Sequence, residues 1–326
     1  MKRRGAIKVL LWLALGATRL ANAQQARKPY RIGTLTAAWA ANHPAVEGLR
    51  AGLAALGMNE GRDVVFEHRY VEGRLEDLPA AAESLIAKRI DLLFTEQENA
   101  TRAAARASTE LPIVFANVGD PVASGFVRAL SHPDGNVTGV SSMSTELAPK
   151  RLEMLKALAP GLRRVWLIYD AGGGKAVLRA AQRIRAAAPA LGVELFDRPV
   201  RTPMELAAAL AAVRPGDGLL PVESGGTALD IGAQMLAAAA LAKALTMFSS
   251  AFWLEHGALA AYGTDHHAVG YQAARLVAKI LAGSRPLDVP VEGANKIELT
   301  INLKVAKAIG ISIPQSALLR AERVIE

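Results

Sequence analysis

The chain has 326 residues, 51% of them hydrophobic, with no cysteine and a formal net charge of +8. That length and apolar content can bury a large core, and more than one domain is expected. The lack of cysteine excludes thiol catalysis, thiolate metal sites and a disulfide framework.

The first 23 residues, MKRRGAIKVLLWLALGATRLANA, combine a basic start, an apolar stretch from Val9 to Ala17 and the small-x-small site Ala21-Asn22-Ala23. This is the layout of a secretory signal peptide, with cleavage expected before Gln24. The apolar stretch is too short to span a bilayer. Arg3-Arg4 leaves twin-arginine and general secretory export both open. The leader takes five basic residues and no acid, so the mature chain keeps a net charge of +3. No Lys/Arg run follows, which leaves a nucleic-acid partner without support. The expected location is the periplasm.

Beyond the leader, strand and helix patterns alternate. The spacing predicts a strand at 30–35, a helix at 43–57, a strand at 63–70 and a helix carrying Leu75, Leu78, Ala82 and Leu85. A strand at 91–95, a helix at 99–108 and a strand at 112–117 follow. Asp120-Pro121 then reads as an N-cap and first helical residue, predicting a further helix. A strand at 135–142 ends this unit. The second unit runs helix (Leu152, Leu155, Leu158), strand 163–170, helix 175–191, strand 193–200, helix 203–213, strand 217–223 and helix 227–243. Short strands are expected either side of Phe252-Trp253, then a helix at 265–282, a strand at 296–302 and a final helix. Such alternation implies right-handed βαβ units and parallel sheets covered on both faces. Two runs joined near Ser141–Leu147 imply an α/β protein of two doubly wound lobes, and open parallel sheets place ligands beyond the carboxyl ends of their strands.

The stretch PIVFANVGDPVASGFVRALSHPDGNVTGVSSMSTELAPKRLEMLKALAPGLRRVWLIYD (112–170) resembles the ABC-transporter substrate-binding proteins of the tryptophan and tyrosine type. HPAVEGLRAGLAALGMNEGRDV near the start, and AYGTDHHAVGYQAARLVAKILAG with LTINLKVAKAIG near the end, are similar to the same family. The resemblance spans the mature chain. It implies a periplasmic-binding-protein type I fold with a hinge, a small solute such as an amino acid or related organic acid, no cofactor, and transient docking on a membrane permease. A monomer is expected. A sensor presenting its solute to a membrane receptor would share the fold and stays open. The first lobe is expected over 24–144 plus 264–294 and the second over 145–263 plus 295–326. At the variable loops TEQENAT (95–101), DAGGGK (170–175) and ESGGT (223–227) this chain departs from the family's usual Thr-Pro-Ala-like and Asn-Pro patterns.

Candidate contacts follow from loops at strand ends. Helix starts at Asn42-His43, Glu98-Asn99 and Asp120-Pro121 are expected to converge and offer free amides to an anionic end. Glu96, Glu223 and Asp265 are acids suited to a cationic end, with Gln97, Gly119, Ser141, Asp170 and Ser224 beside them. Trp39 and Trp253 are expected to cover the solute's body, and Tyr169 to contribute a hydroxyl. Asp120 and Asp265 also read simply as helix caps. No nucleophile elbow is present, GGGKA (172–176) fails as a P-loop, and adjacent His266-His267 lack the i, i+4 spacing of a metal pair. No catalytic set and no metal site are expected.

Overall fold

The computed structural model describes residues 28–37, 43–222 and 231–326. The signal segment, Trp39, Asn42, Glu223 and Ser224 lie outside the described residues. In chain order the first unit runs β1 (Tyr30–Thr36), α1 (Pro44–Ala55), β2 (Val64–Tyr70), α2 (Leu78–Ala87), β3 (Leu92–Glu96), α3 (Gln97–Ala107), β4 (Ile113–Val118) and β5 (Val137–Ser141). The second runs α4 (Ser144–Leu158), β6 (Arg164–Asp170), α5 (Gly174–Ala187), β7 (Glu194–Val200), α6 (Pro203–Ala211), β8 (Gly218–Pro221), α7 (Ile231–Ala242), β9 (Leu245–Phe248), α8 (Phe252–Glu255) and β10 (Ala260–Thr264). The chain closes with α9 (His266–Leu281), β11 (Glu292–Gly293), β12 (Ile297–Asn302), α10 (Leu303–Ile309), α11 (Gln315–Leu318) and β13 (Arg323–Ile325).

Two sheets result, ordered β11-β5-β4-β3-β1-β2 and β13-β12-β10-β9-β8-β6-β7. Every pairing in the first is parallel. The second departs from the all-parallel expectation at one place, where β12 runs antiparallel to β10. The cause is the path of the chain. It leaves the second sheet at Thr264, packs α9 on the first sheet, and re-enters opposite Thr264 at Ile297, so β12 must run back down the sheet.

Each sheet is buried on both faces, which explains why β3 and β4 are continuous apolar runs rather than alternating ones. One face of the first sheet packs under α1 and α9 through Leu49, Leu53, Ala273 and Val277. The other packs under α2 and α3 through Leu78, Leu85, Ala100 and Ala104. In the second sheet α4, α5 and α10 cover one face, and α6 and α7 the other. The α1–α9 contact is very close. A Cβ on Gly48 would fall 2.0 Å from the His267 carbonyl oxygen, and one on Gly270 1.9 Å from that of Ala45.

The helix predicted at Asp120-Pro121 is absent. Residues 121–125 form turns and the chain runs on without regular structure to β5. Asp120 makes the expected cap, its Oδ1 accepting from the Ala123 amide at 2.9 Å. Gly125, at φ +78°, then turns the chain away before a helix can propagate.

Candidate functional site

The carboxyl ends of β3, β4, β8, β9 and β10 border a cleft of about 950 Å³ whose walls come from both sheets. The first-sheet wall is polar. Glu96, the last residue of β3, is only 3% exposed. Its Oε1 accepts from Asn117 Nδ2 at 3.3 Å and lies 3.3 Å from His266 Nδ1, while Oε2 lies 3.8 Å from His43 Nε2. Burial works to raise the Glu96 pKa, but His43, His266 and Asn117 together hold it below the ordinary carboxylate value. His43 caps α1, its Nδ1 accepting from the Ala45 amide at 3.2 Å. Burial, opposed by Glu96, keeps this imidazole below its ordinary pKa.

Asn117 is placed by a defect in the strand. It has φ +60°, and the β4–β5 register shifts between Ala116 and Val118. Such a bulge re-aims one side chain, and here it turns the Asn117 amide into the cleft. Its Oδ1 accepts from Thr264 Oγ1 at 3.1 Å, tying β10 of the second sheet to β4 of the first. Gln97, also in the cleft wall, has φ +65° at the junction of β3 and α3.

Asp265 caps α9, with Oδ1 accepting from the Ala268 amide at 3.1 Å and Oδ2 from Lys296 Nζ at 2.7 Å. Burial would raise its pKa, but Lys296 and the amide lower it on balance. Lys296 also reaches Glu298, at 2.7 Å. On the second-sheet side, the buried Arg151 donates to the Tyr262 carbonyl at 2.8 Å and to Ser144 Oγ at 3.0 Å. The apolar wall is aromatic. Trp253 lies against Gly232, where a Cβ would meet its ring at 2.4 Å, and sits tilted against Phe248 and edge-on to the half-exposed Phe252.

Of the sequence-expected residues, His43, Glu96, Gln97, Gly119, Trp253 and Asp265 meet in this cleft. The others are placed differently. Asn99 borders a separate hollow between α2 and α3. Asp120 divides its oxygens between the Ala123 amide and Arg179 Nη1, the latter at 2.8 Å, and Pro121 is buried in the turn beyond. Ser141 Oγ donates to the Val118 carbonyl at 2.9 Å. Tyr169 belongs to the second-sheet core, its hydroxyl 3.3 Å from Arg185. Asp170 accepts from the Gly172 amide at 2.6 Å, closing a turn. Ser141, Tyr169 and Asp170 are spent on local structure, Asp120 links its turn to α5 of the second unit, and Asn99 Nδ2 is buried without a hydrogen-bond partner. Residues that sequence reasoning missed are Asn117, Thr264, Arg151 and His266. Nothing in the sequence marks the bulge at Asn117. His266 was visible as the first residue of a helix at a strand end, but weighing it only as half of a metal pair hid that position.

His43, Glu96 and His266 present ligand-type atoms within 4.8 Å of one another. The cap bond fixes the chemistry of His43. Because Nδ1 accepts an amide hydrogen, the ring proton sits on Nε2, so a hydrogen rather than a lone pair points at the cluster. That suits hydrogen bonding and works against metal ligation.

Comparison with known proteins points to one family. The model of the family described as ABC transporter substrate binding protein matches residues 39–325. A tyrosine-binding protein of Clostridioides difficile is 24% identical over 271 residues, 82% of this chain and 78% of that one. A Streptococcus pneumoniae ABC domain solved in complex with L-Trp is 25% identical, with a TM-score of 0.79, covering 91% of this chain and 100% of its own. A conserved domain protein of Vibrio cholerae gives 26% identity and the same TM-score, again over 91% of this chain and 100% of its own.

Proposed function

Because this chain belongs to the ABC transporter substrate binding protein family, we propose that it is the exported, solute-capturing component of an importer. Its solute is an amino acid or related small organic acid. The observation that carries the reading is the cleft itself: it lies at the carboxyl ends of two separate sheets, with a polar wall on one and an aromatic wall on the other. The tyrosine-binding and L-Trp-bound relatives support the solute class.

Among the described residues the first lobe takes 28–144 plus 265–294 and the second 145–264 plus 295–326, joined where the chain passes between the sheets after β5, after β10 and between β11 and β12. Solute binds between them, contacts to both favour the closed form, and that form docks on a membrane permease. Among the described residues no helix is long and apolar enough to cross a membrane, and the leader-like start supports delivery to the periplasm. The family is one of solute binders rather than enzymes.

The test is to purify the mature protein from periplasmic extract without denaturation, release what it carries, and identify it by mass spectrometry. The expected result is one small solute at about one per chain, chemically unchanged after incubation. A modified product, or a chain that retains nothing and binds no small solute added back, would overturn the reading.

A further inference from the structure

The two lobes differ in charge. By sequence the second carries 18 Lys and Arg against 13 Asp and Glu, whereas the first carries 14 against 17. Part of the excess gathers on α5, whose 14 residues include Lys175, Arg179, Arg183 and Arg185 and no acid. Arg185 is held by Asp197, and Arg179 reaches Asp120 of the first lobe at 2.8 Å. Lys175 and Arg183 are exposed and have no partner among the described residues. Set four residues to either side of Arg179, they share its face of the helix. Lys175 lies in the first turn, where a cation adds to the positive end of the helix dipole instead of offsetting it. The fold gains nothing from it there. The same face reaches the first lobe. Leu178, next to Arg179, and Val122, two residues beyond Asp120, are both exposed. Single exposed aliphatic residues are ordinary, but these two flank an ion pair that joins the lobes, beside cations that nothing neutralises.

We propose that the Lys175–Arg179–Arg183 face of α5, together with Leu178 and Val122, is the surface that docks on the membrane partner, and that the partner presents an acidic face to it. This rests on the solute-binder reading and adds which face docks and what charge it meets. The two aliphatic side chains form the apolar centre of the contact and the cations its rim, where charge acts chiefly on the rate and orientation of encounter. The opposite balance of the two lobes turns the second lobe toward an acidic partner during approach. Asp120 and Arg179 come from different lobes, so the patch is whole only when the lobes stand in this relation. A partner that touches both sides of the pair therefore binds this arrangement of the lobes in preference to others.

The experiment adds the intact mature chain, loaded with the solute it carries, to right-side-out membrane vesicles from the cells that make it, washed free of periplasmic proteins. Two readouts are taken as salt is raised: co-sedimentation with the vesicles and uptake of the labelled solute. Wild type is expected to saturate both, with apparent affinity falling as salt rises. Lys175→Glu with Arg183→Glu should weaken sedimentation, and raise the protein concentration that half-saturates uptake, about tenfold, with solute affinity in calorimetry unchanged. Lys304→Glu with Lys307→Glu is the control. These residues are exposed on α10, which follows the end of β12 away from the cleft. The control makes the same change in net charge and should leave both readouts as in wild type. Should the α5 variant fail to fold, Lys175→Gln with Arg183→Gln and the salt profile of the wild type decide. Unchanged readouts in the α5 variant, or an equal loss in the control, would overturn the inference. Equally tight binding to protein-free vesicles of phosphatidylglycerol and phosphatidylethanolamine would overturn it in favour of a lipid surface. Sedimentation without uptake would instead overturn the importer reading and leave the docking face standing. Neither sedimentation nor uptake by wild type would overturn both.

Discussion

At the scale of single residues, the account turns on how Glu96 is kept charged without exposure to water. Asn117 is central because it joins Glu96 to Thr264 and adopts φ +60°. Asn117→Ala removes both hydrogen bonds and puts a poorly suited residue in the left-handed region. It should lower stability by about 2–3 kcal/mol in urea denaturation, with Asn117→Gly losing less because glycine accepts that backbone. The titrating groups give a pH dependence of definite sign. His43 is depressed in the folded state below its ordinary value of 6.5, so on acidification the unfolded chain binds a proton first and stability falls below about pH 6.5. Glu96, also depressed, adds a further loss below its ordinary value of 4.5. Melting temperature should therefore fall on acidification from pH 7 to 5, and His43→Asn, which keeps a capping side chain, should flatten the upper part of that fall.

At the scale of elements, the alternation of apolar strands and amphipathic helices made most of the architecture legible: β1 to β4 and α1 to α3 lie within a few residues of the sequence expectation. The exceptions have physical causes. Asp120-Pro121 carried a helix-start signal, but capping needs only one turn, and the chain bends at Gly125 before a helix follows. The two-residue β11 and the terminal β13 have little pattern to read, since both pair at sheet edges supplied by distant segments. Site residues were legible where a cap or strand end marked them, as at His43, Glu96 and Asp265. They were not legible where a bulge or a long-range pairing chose the side chain, as at Asn117 and Arg151. The α1–α9 packing gives a direct test. Gly270→Ala should gain up to ~1 kcal/mol in helix propensity, but its Cβ would sit 1.9 Å from the Ala45 carbonyl oxygen. A net destabilisation of about 2 kcal/mol is expected, along with weaker solute binding, because His266 opens the same helix. Unchanged or raised stability would show that the two helices can separate freely.

At the scale of the whole molecule, what matters is how the two sheets are held across the cleft. Thr264–Asn117 ties them where the chain crosses, and Asp120–Arg179 ties the β4–β5 segment to α5 in the second unit. The Arg179 side chain is 47% exposed, so the pair is worth no more than about 1 kcal/mol. That is enough to bias an equilibrium between open and closed forms. Arg179→Met should raise the radius of gyration of the solute-free protein in X-ray scattering and weaken solute binding by up to about fivefold. An unchanged radius would assign the pair to local structure alone. The central claim is that one small molecule is gripped, unaltered, between the sheets against Trp253. The most direct measurement is the change in tryptophan fluorescence as the mature chain is titrated with amino acids. A saturable one-to-one change is predicted, largely lost in Trp253→Phe and reversed on dialysis with the ligand recovered intact. No saturable change with any amino acid, or recovery of a chemically altered ligand, would contradict it.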